Sequence, residues 1–122
     1  MSDKHTILII DDTPMIIATL SDLLRPFYNV KGAKDGEEGF LRAEKGDINL
    51  ILLDISMPNI SGLEVLKLLK RNETTKKIPV MIISSSRDDN DKINSLACGA
   101  LEYFAKPFNA EKLLNSIEEH LA

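Results

Sequence analysis

Ile7-Leu8-Ile9-Ile10-Asp11-Asp12 and Leu50-Ile51-Leu52-Leu53-Asp54 are two short apolar runs that each end on acid. A third, Val80-Met81-Ile82-Ile83, ends on Ser84, and a fourth, Leu101 to Ala105, ends on Lys106. Apolar runs this short, bounded by polar residues and separated by helical patterns, read as buried strands of a parallel sheet. The ligand site of such a sheet lies beyond the carboxyl ends of its strands. Four runs therefore deliver three carboxylates, a hydroxyl and an ammonium to one edge.

The segments between the runs supply the helices. Thr13 and Pro14 have the form of an N-cap and first helical position, and Ile16, Leu20, Leu23 and Leu24 share one face before Arg25-Pro26 ends the helix. Tyr28 to Ala33 reads as an edge strand, with polar Asn29 and Lys31 alternating. Asp35-Gly36 opens a second helix to about Lys45-Gly46, and Ser61-Gly62-Leu63-Glu64 has the spacing of a capping box, opening a third through Arg71. Ile78 to Ile83 is the fourth strand, and a helix from Asp89 to Cys98 ends at Gly99. Asn109 caps a last helix with Leu113, Leu114, Ile117 and Leu121 as its buried stripe. Five β-α units in series form a parallel sheet with helices on both faces.

The whole chain, residues 1–122, is expected to be one domain, and 43% apolar residues support a core for it. A net charge of −4 counts against direct nucleic-acid binding or an anionic membrane surface, which need a basic face. No apolar stretch approaches the roughly 18–20 residues of a membrane span, and Met-Ser-Asp-Lys-His lacks the form of a signal peptide. The single Cys98 fits a small subsurface position. A cytoplasmic setting is expected.

Three acids crowded at one edge repel one another, so one of them would tend to hold a proton. A hard divalent cation removes that conflict, and Mg²⁺ suits carboxylate oxygens while accepting a phosphoryl oxygen. Asp11, Asp12 and Asp54 with Lys106 and Mg²⁺ sum to zero formal charge. A phosphoryl group would then meet a metal and an ammonium, which is most of what phosphoryl transfer requires. Asp54, on the central strand, is the expected nucleophile, since a carboxylate can form an acyl phosphate; Asp11 and Asp12 are better placed for metal.

Asp11-Asp12, the segment Asp54-Ile-Ser-Met-Pro-Asn-Ile-Ser-Gly62, Ser84 and Lys106-Pro107, in that order, resemble the response-regulator receiver domain of two-component phosphorelay systems. The resemblance covers essentially the whole chain. It implies a flavodoxin-like α/β fold, (βα)5, with a five-stranded parallel sheet of order 2-1-3-4-5 and helices on both faces. It implies that Asp54 accepts phosphate from a sensor histidine kinase or histidine phosphotransferase. Asp11, Asp12, Asp54 and the backbone carbonyl of Ser56 would hold Mg²⁺, for which Mn²⁺ can substitute. Lys106 would grip the phosphoryl group, Ser84 fills the Ser/Thr position, and Tyr103 fills the aromatic switch position. A cis Lys106–Pro107 bond is implied as well. Ser56 and Ser86 occupy the positions that influence the lifetime of the phosphorylated state, and neither is a strong acid or base, so slow self-dephosphorylation is expected.

Taken singly these residues carry little. An Asp pair at a strand end is ordinarily a helix cap, and Lys-Pro is common in turns; the joint placement is what points to a site. Ser85 and Ser86 read as loop, His5 and His120 as solvated, and Asp88, Asp89 and Asp91 as helix N-terminal acids that need not be ligands. On the first helix, a buried face centred on Leu20 puts Met15 and Ala18 opposite, with Ile17 at the margin. Apolar residues beside the site mouth fit a docking surface, which by resemblance meets the histidine-bearing helices of a kinase or phosphotransferase.

The expected product is a switch that is not a turnover enzyme, a monomer or weak dimer binding an unknown downstream protein. A stand-alone receiver is favoured, and the alternative is the N-terminal receiver of a larger regulator with a DNA-binding or enzymatic output domain. A haloacid-dehalogenase-type phosphatase would want Asp-x-Asp where Asp11 and Asp12 are adjacent. A flavodoxin would want a hydroxyl-rich phosphate loop, and the two acids would repel that phosphate.

Overall fold

Alternation of strand and helix is complete: β1 Thr6–Ile10, α1 Pro14–Leu24, β2 Asn29–Ala33, α2 Gly36–Glu44, β3 Leu50–Leu53, α3 Gly62–Arg71, β4 Val80–Ser84, α4 Asp89–Ala97, β5 Glu102–Ala105 and α5 Ala110–Leu121. The structure is a computed structural model and describes residues 4–57, 61–86 and 88–121. Pro58, Asn59 and Ile60 of the Asp54-to-Gly62 motif lie outside the described residues. The strands form one parallel sheet in the order β2-β1-β3-β4-β5, as the resemblance implied.

Strand periodicity divides the core in two. Leu8, Ile10, Ile51, Leu53, Val80 and Ile82 face α2 and α3, where Ala43, Val65, Leu66 and Leu69 cover them. Ile7, Ile9, Leu50, Leu52, Met81 and Ile83 point the other way, against Leu20 and Leu24 of α1 and Leu113 and Ile117 of α5. Because both faces are covered, the central strands are apolar at every position, and no residue of Ile7–Ile10 or Leu50–Leu53 is more than 1% exposed.

The outer strands differ. β2 is largely exposed, as an edge strand should be. The Leu101 to Ala105 run was expected to be buried, yet β5 begins at Glu102, is only half-buried, and leaves Leu101 43% exposed. The reason is topological: β5 pairs with β4 alone and is the second edge of the sheet.

Helix starts follow their caps. Asp35 accepts from the Glu38 N–H at 2.8 Å, Ser61 from Glu64 at 3.3 Å, Asp88 from Asn90 at 2.9 Å and Asn109 from Lys112 at 2.9 Å. Thr13 occupies the N-cap of α1 without a side-chain cap bond. Its own N–H instead donates to Asp11 Oδ1 at 2.9 Å, so the acid organises the turn into the helix. Gly62 lets α3 start against the loop after β3, since a Cβ there would lie 2.2 Å from Ile55 Cα.

Gly39 plays the same part for α2. A Cβ at this position would fall 2.5–2.9 Å from three side-chain atoms of Ile10. Overpacking of this kind costs about 1–3 kcal/mol, against about 1 kcal/mol of helix propensity gained by alanine. Gly39→Ala is expected to lower the urea midpoint by a net cost of about 1 kcal/mol. The same substitution should cost less in an Ile10→Val background, and equal costs in both backgrounds would show that Ile10 is not what the new methyl meets.

Candidate functional site

Ladder bonds continue one residue past the strands and fix the site backbone. Asp11 N–H donates to Ala33 O at 3.0 Å, Asp54 N–H to Ile10 O at 2.9 Å, and Lys106 N–H to Ser84 O at 2.8 Å. Asp11, Asp54, Ser84 and Lys106 thus stand along the carboxyl edge of adjacent parallel strands, and Asp12 follows on the loop.

Asp11 and Asp54 are buried, at 2% and 5% exposure, while Asp12 is exposed. Each of the three acids offers a carboxylate oxygen within 4.8 Å of the others. Lys106 Nζ donates to Asp11 Oδ2 at 3.0 Å and lies 3.6 Å from Asp54 Oδ2. Asp54 Oδ1 accepts from the Ser56 N–H at 2.8 Å. Burial pushes the Asp54 carboxyl above the usual carboxylate range, the negative charges of Asp11 and Asp12 push the same way, and the Ser56 N–H and the Lys106 ammonium oppose them.

One ammonium against three acids leaves the cluster formally at −2. All the side-chain donor atoms are hard oxygens, and the exposed Asp12 opens the cluster to solvent. This donor set fits a partly hydrated Mg²⁺ or Mn²⁺, not a soft metal, which would want thiolate or imidazole.

The hydroxyl of Ser84 is buried beside this cluster, 2.9 Å from the hydroxyl of Ser56. Tyr103 is half-buried, and its hydroxyl donates to the Ser86 carbonyl at 3.0 Å, tying β5 to the loop after β4. The Lys106–Pro107 bond is cis. Met15, 75% exposed, and Ala18 lie on the outer face of α1. Ile17 is half-buried at the margin of that face and also packs on the core beneath α1, with its Cγ2 3.0 Å from the place of a Cβ on Gly32. His120 is exposed, with Nε2 3.5 Å from Glu102 Oε2.

Sequence reasoning placed Ser86 on the loop and Asp91 at a helix N-terminus but missed the bond between them. The Ser86 hydroxyl donates to Asp91 Oδ2 across the start of α4. The available signal was the Asp88-x-x-Asp91 spacing, an N-cap and an acid three residues on, with a serine just upstream.

The chain belongs to the response regulator receiver domain family, whose model matches residues 7–118. It is 37% identical over 116 residues to the response regulator ArlR of Staphylococcus saprophyticus, covering 94% of this chain and 51% of that protein. A probable cyclic di-GMP phosphodiesterase of Vibrio cholerae is 36% identical over 116 residues, covering 95% of this chain and 26% of that protein. The chain therefore spans between about a quarter and a half of these relatives.

Solved structures agree on the fold. A putative response regulator from Chloroflexus aurantiacus superposes with a TM-score of 0.91 at 30% identity, covering 98% of both chains. The chemotaxis protein CheY4 of Vibrio cholerae gives 0.88 at 29% identity, covering 95% of this chain and 98% of that one. The fold is flavodoxin-like and CheY-like, and the family's role is two-component signal transduction. Among the described residues no helix is long and apolar enough to cross a membrane.

Asp54 sits above its ordinary pKa, so as the pH falls the folded protein takes up this proton before the unfolded chain does. Its penalty on stability is therefore complete above the raised pKa and is relieved as the pH falls towards the ordinary carboxylate value. In metal-free buffer at neutral pH, Asp54→Asn is expected to raise the melting temperature by about 3 °C. The difference between the two proteins should shrink on acidification through that window, measured by thermal melts at several pH values. A difference constant with pH would show that Asp54 is not the strained acid.

Proposed function

We propose that the chain is a phosphoacceptor switch in which Asp54 takes a phosphoryl group from the phosphohistidine of a sensor histidine kinase or histidine phosphotransferase. The observation that carries this reading is a buried carboxylate, raised in pKa, flanked by two further acids and a lysine ammonium at one sheet edge. In the transfer, an Asp54 carboxylate oxygen bonds to phosphorus as the phosphorus–nitrogen bond to imidazole breaks, and the bond's electron pair stays on the imidazole nitrogen. Asp11, Asp12, Asp54 and the Ser56 carbonyl are the residues assigned to Mg²⁺, which supplies Lewis-acid neutralisation of the phosphoryl oxygens when bound.

Lys106 exchanges part of its contact with Asp11 and Asp54 for the phosphoryl oxygens. Ser84, with its hydroxyl at the same edge, donates to another of them. Phosphorylation replaces a single negative charge by roughly −2 with more acceptor oxygens, and so favours whichever loop position brings Ser84 inward. Tyr103 responds through the same loop and changes the surface formed by α4, β5 and α5. With hydroxyls rather than a strong acid or base at Ser56 and Ser86, self-dephosphorylation is slow.

We assign this role to a single receiver domain whose own surface is its output, acting in the cytoplasm. CheY4, a chain of which 98% is covered, supports that assignment. The second reading, a receiver at the N-terminus of a larger regulator, is favoured by ArlR, of which the chain spans 51%.

Incubation with acetyl phosphate and Mg²⁺ is expected to add one phosphate by intact mass, with Asp54→Asn adding none. Phosphate mapped to Asp11 or Asp12 in the unsubstituted protein would overturn the assignment. The exposed Met15 beside the site gives a separate outcome. Met15→Asp should slow transfer from the cognate kinase about tenfold, equivalent to about 1.4 kcal/mol of docking, while labelling by acetyl phosphate stays unchanged. Equal slowing with both donors would remove α1 from the docking surface.

A further inference from the structure

Every hydrogen-bonding group of Ser86 is in use. Its N–H donates to Ser84 Oγ at 3.1 Å, and its carbonyl accepts from the Tyr103 hydroxyl at 3.0 Å. Its hydroxyl donates to Asp91 Oδ2 and accepts from the Asp88 N–H at 3.3 Å. These four bonds reach the end of β4, the middle of β5 and the first turn of α4. Upstream, Ser84 Oγ meets Ser56 Oγ at 2.9 Å, and the Ser56 N–H rests on Asp54 at 2.8 Å. An unbroken path of polar contacts therefore runs from Asp54 through Ser56, Ser84 and Ser86 to Asp91.

Local geometry gives this path a direction. Asp88 is the N-cap of α4 and Asp91 stands three residues later. An acidic or amide side chain at that place can reach back to the N–H of the cap residue and close a capping box. Here the Ser86 hydroxyl stands between the two, taking the cap's N–H and giving its proton to the acid. A hydroxyl-to-carboxylate bond is charge-assisted and stronger than a neutral one. Apolar packing adds little to the hold on this helix: α4 buries only Ser95, where α3 buries Gly62, Val65, Leu66 and Leu69.

We infer that Ser86 and Asp91 are positioning residues of the switch, carrying the displacement of Ser84 into the first turn of α4 in parallel with the route through Tyr103. The inference rests on the phosphoacceptor reading of Asp54. Both residues act through Ser84 and touch no reacting atom. They should therefore govern what phosphorylation does to α4, and leave the rate at which Asp54 is phosphorylated alone.

The test uses beryllofluoride with Mg²⁺ as the phosphoryl mimic, read by amide NMR over residues 54–57, 84 and 89–95, beside the rate of labelling by acetyl phosphate. Ser86→Ala, which keeps the backbone bonds, and Asp91→Ala should each lose at least half of the response at 89–95. In Asp91→Ala, labelling and the response at 54–57 should stay within about twofold of the unsubstituted protein, a factor equivalent to less than half a kcal/mol. Asp91→Asn keeps an acceptor for the hydroxyl and should restore most of the α4 response. Asp89→Ala removes a first-turn acid that makes no bond to Ser86 and should leave the response intact. A full α4 response in Ser86→Ala overturns the inference, as does an equal loss in Asp89→Ala, which would reduce Asp91 to a helix-end charge. Slowed labelling in Asp91→Ala would place Asp91 in the chemistry and also overturn it. If the unsubstituted protein neither takes phosphate nor responds to beryllofluoride, the phosphoacceptor reading itself fails, and the inference fails with it.

Discussion

Backbone bonding at the carboxyl edge of the sheet holds together charges that would otherwise separate. Asp11 and Asp54 are gripped through their N–H groups by neighbouring strands, as extensions of the β1–β2 and β1–β3 ladders. Two like charges in a desolvated position are costly, and a free loop would relax by moving one of them into water. These acids cannot do so without breaking the ladder on which Ile10, Leu53 and the rest of the buried sheet depend. The core stabilises the strain, and Lys106 offsets part of it by lying against both acids. What remains is a site with excess negative charge and a carboxyl at Asp54 held above its usual range by burial.

The same constraint explains what was legible in the sequence. A strand covered on both faces must be apolar throughout, so β1, β3 and β4 announce themselves as unbroken runs and the first polar residue after each marks the edge. Asp11, Asp54 and Ser84 could be found for that reason. Edge strands obey a weaker rule. Leu101 is apolar yet exposed, because β5 has a neighbour on one side only, and apolarity alone does not distinguish this from burial. Thr13 and Pro14 stand at the N-cap and first turn of α1 as their residue types indicate, and the bond from the Thr13 N–H to Asp11 is a further contact that residue type alone does not reveal.

The bonding of Ser86 was illegible for a different reason. Its partners come from Ser84, Asp88, Asp91 and Tyr103, and the last of these arrives only through pairing of β4 with β5. A serine in a polar stretch has no periodic signal, and its bonds follow from tertiary placement. Ile17 shows the converse. Its position at the margin of α1 was readable from helical spacing, while the side it takes is decided by the space that Gly32 leaves beside it.

Packing also separates the parts that can move from those that cannot. α3 is fixed by Val65, Leu66 and Leu69, each fully buried, and any shift of it would open the core. α4 carries Ile93 at 61% and Leu96 at 41% exposure and buries a serine, so its position contributes little apolar burial. Elements with few buried apolar contacts open and shift at low free-energy cost. A helix held chiefly by directional polar contacts can be re-aimed by moving one partner, whereas an apolar contact has no preferred direction to transmit. The chain thus places a rigid sheet beneath Ser84 and a loosely packed helix beside it.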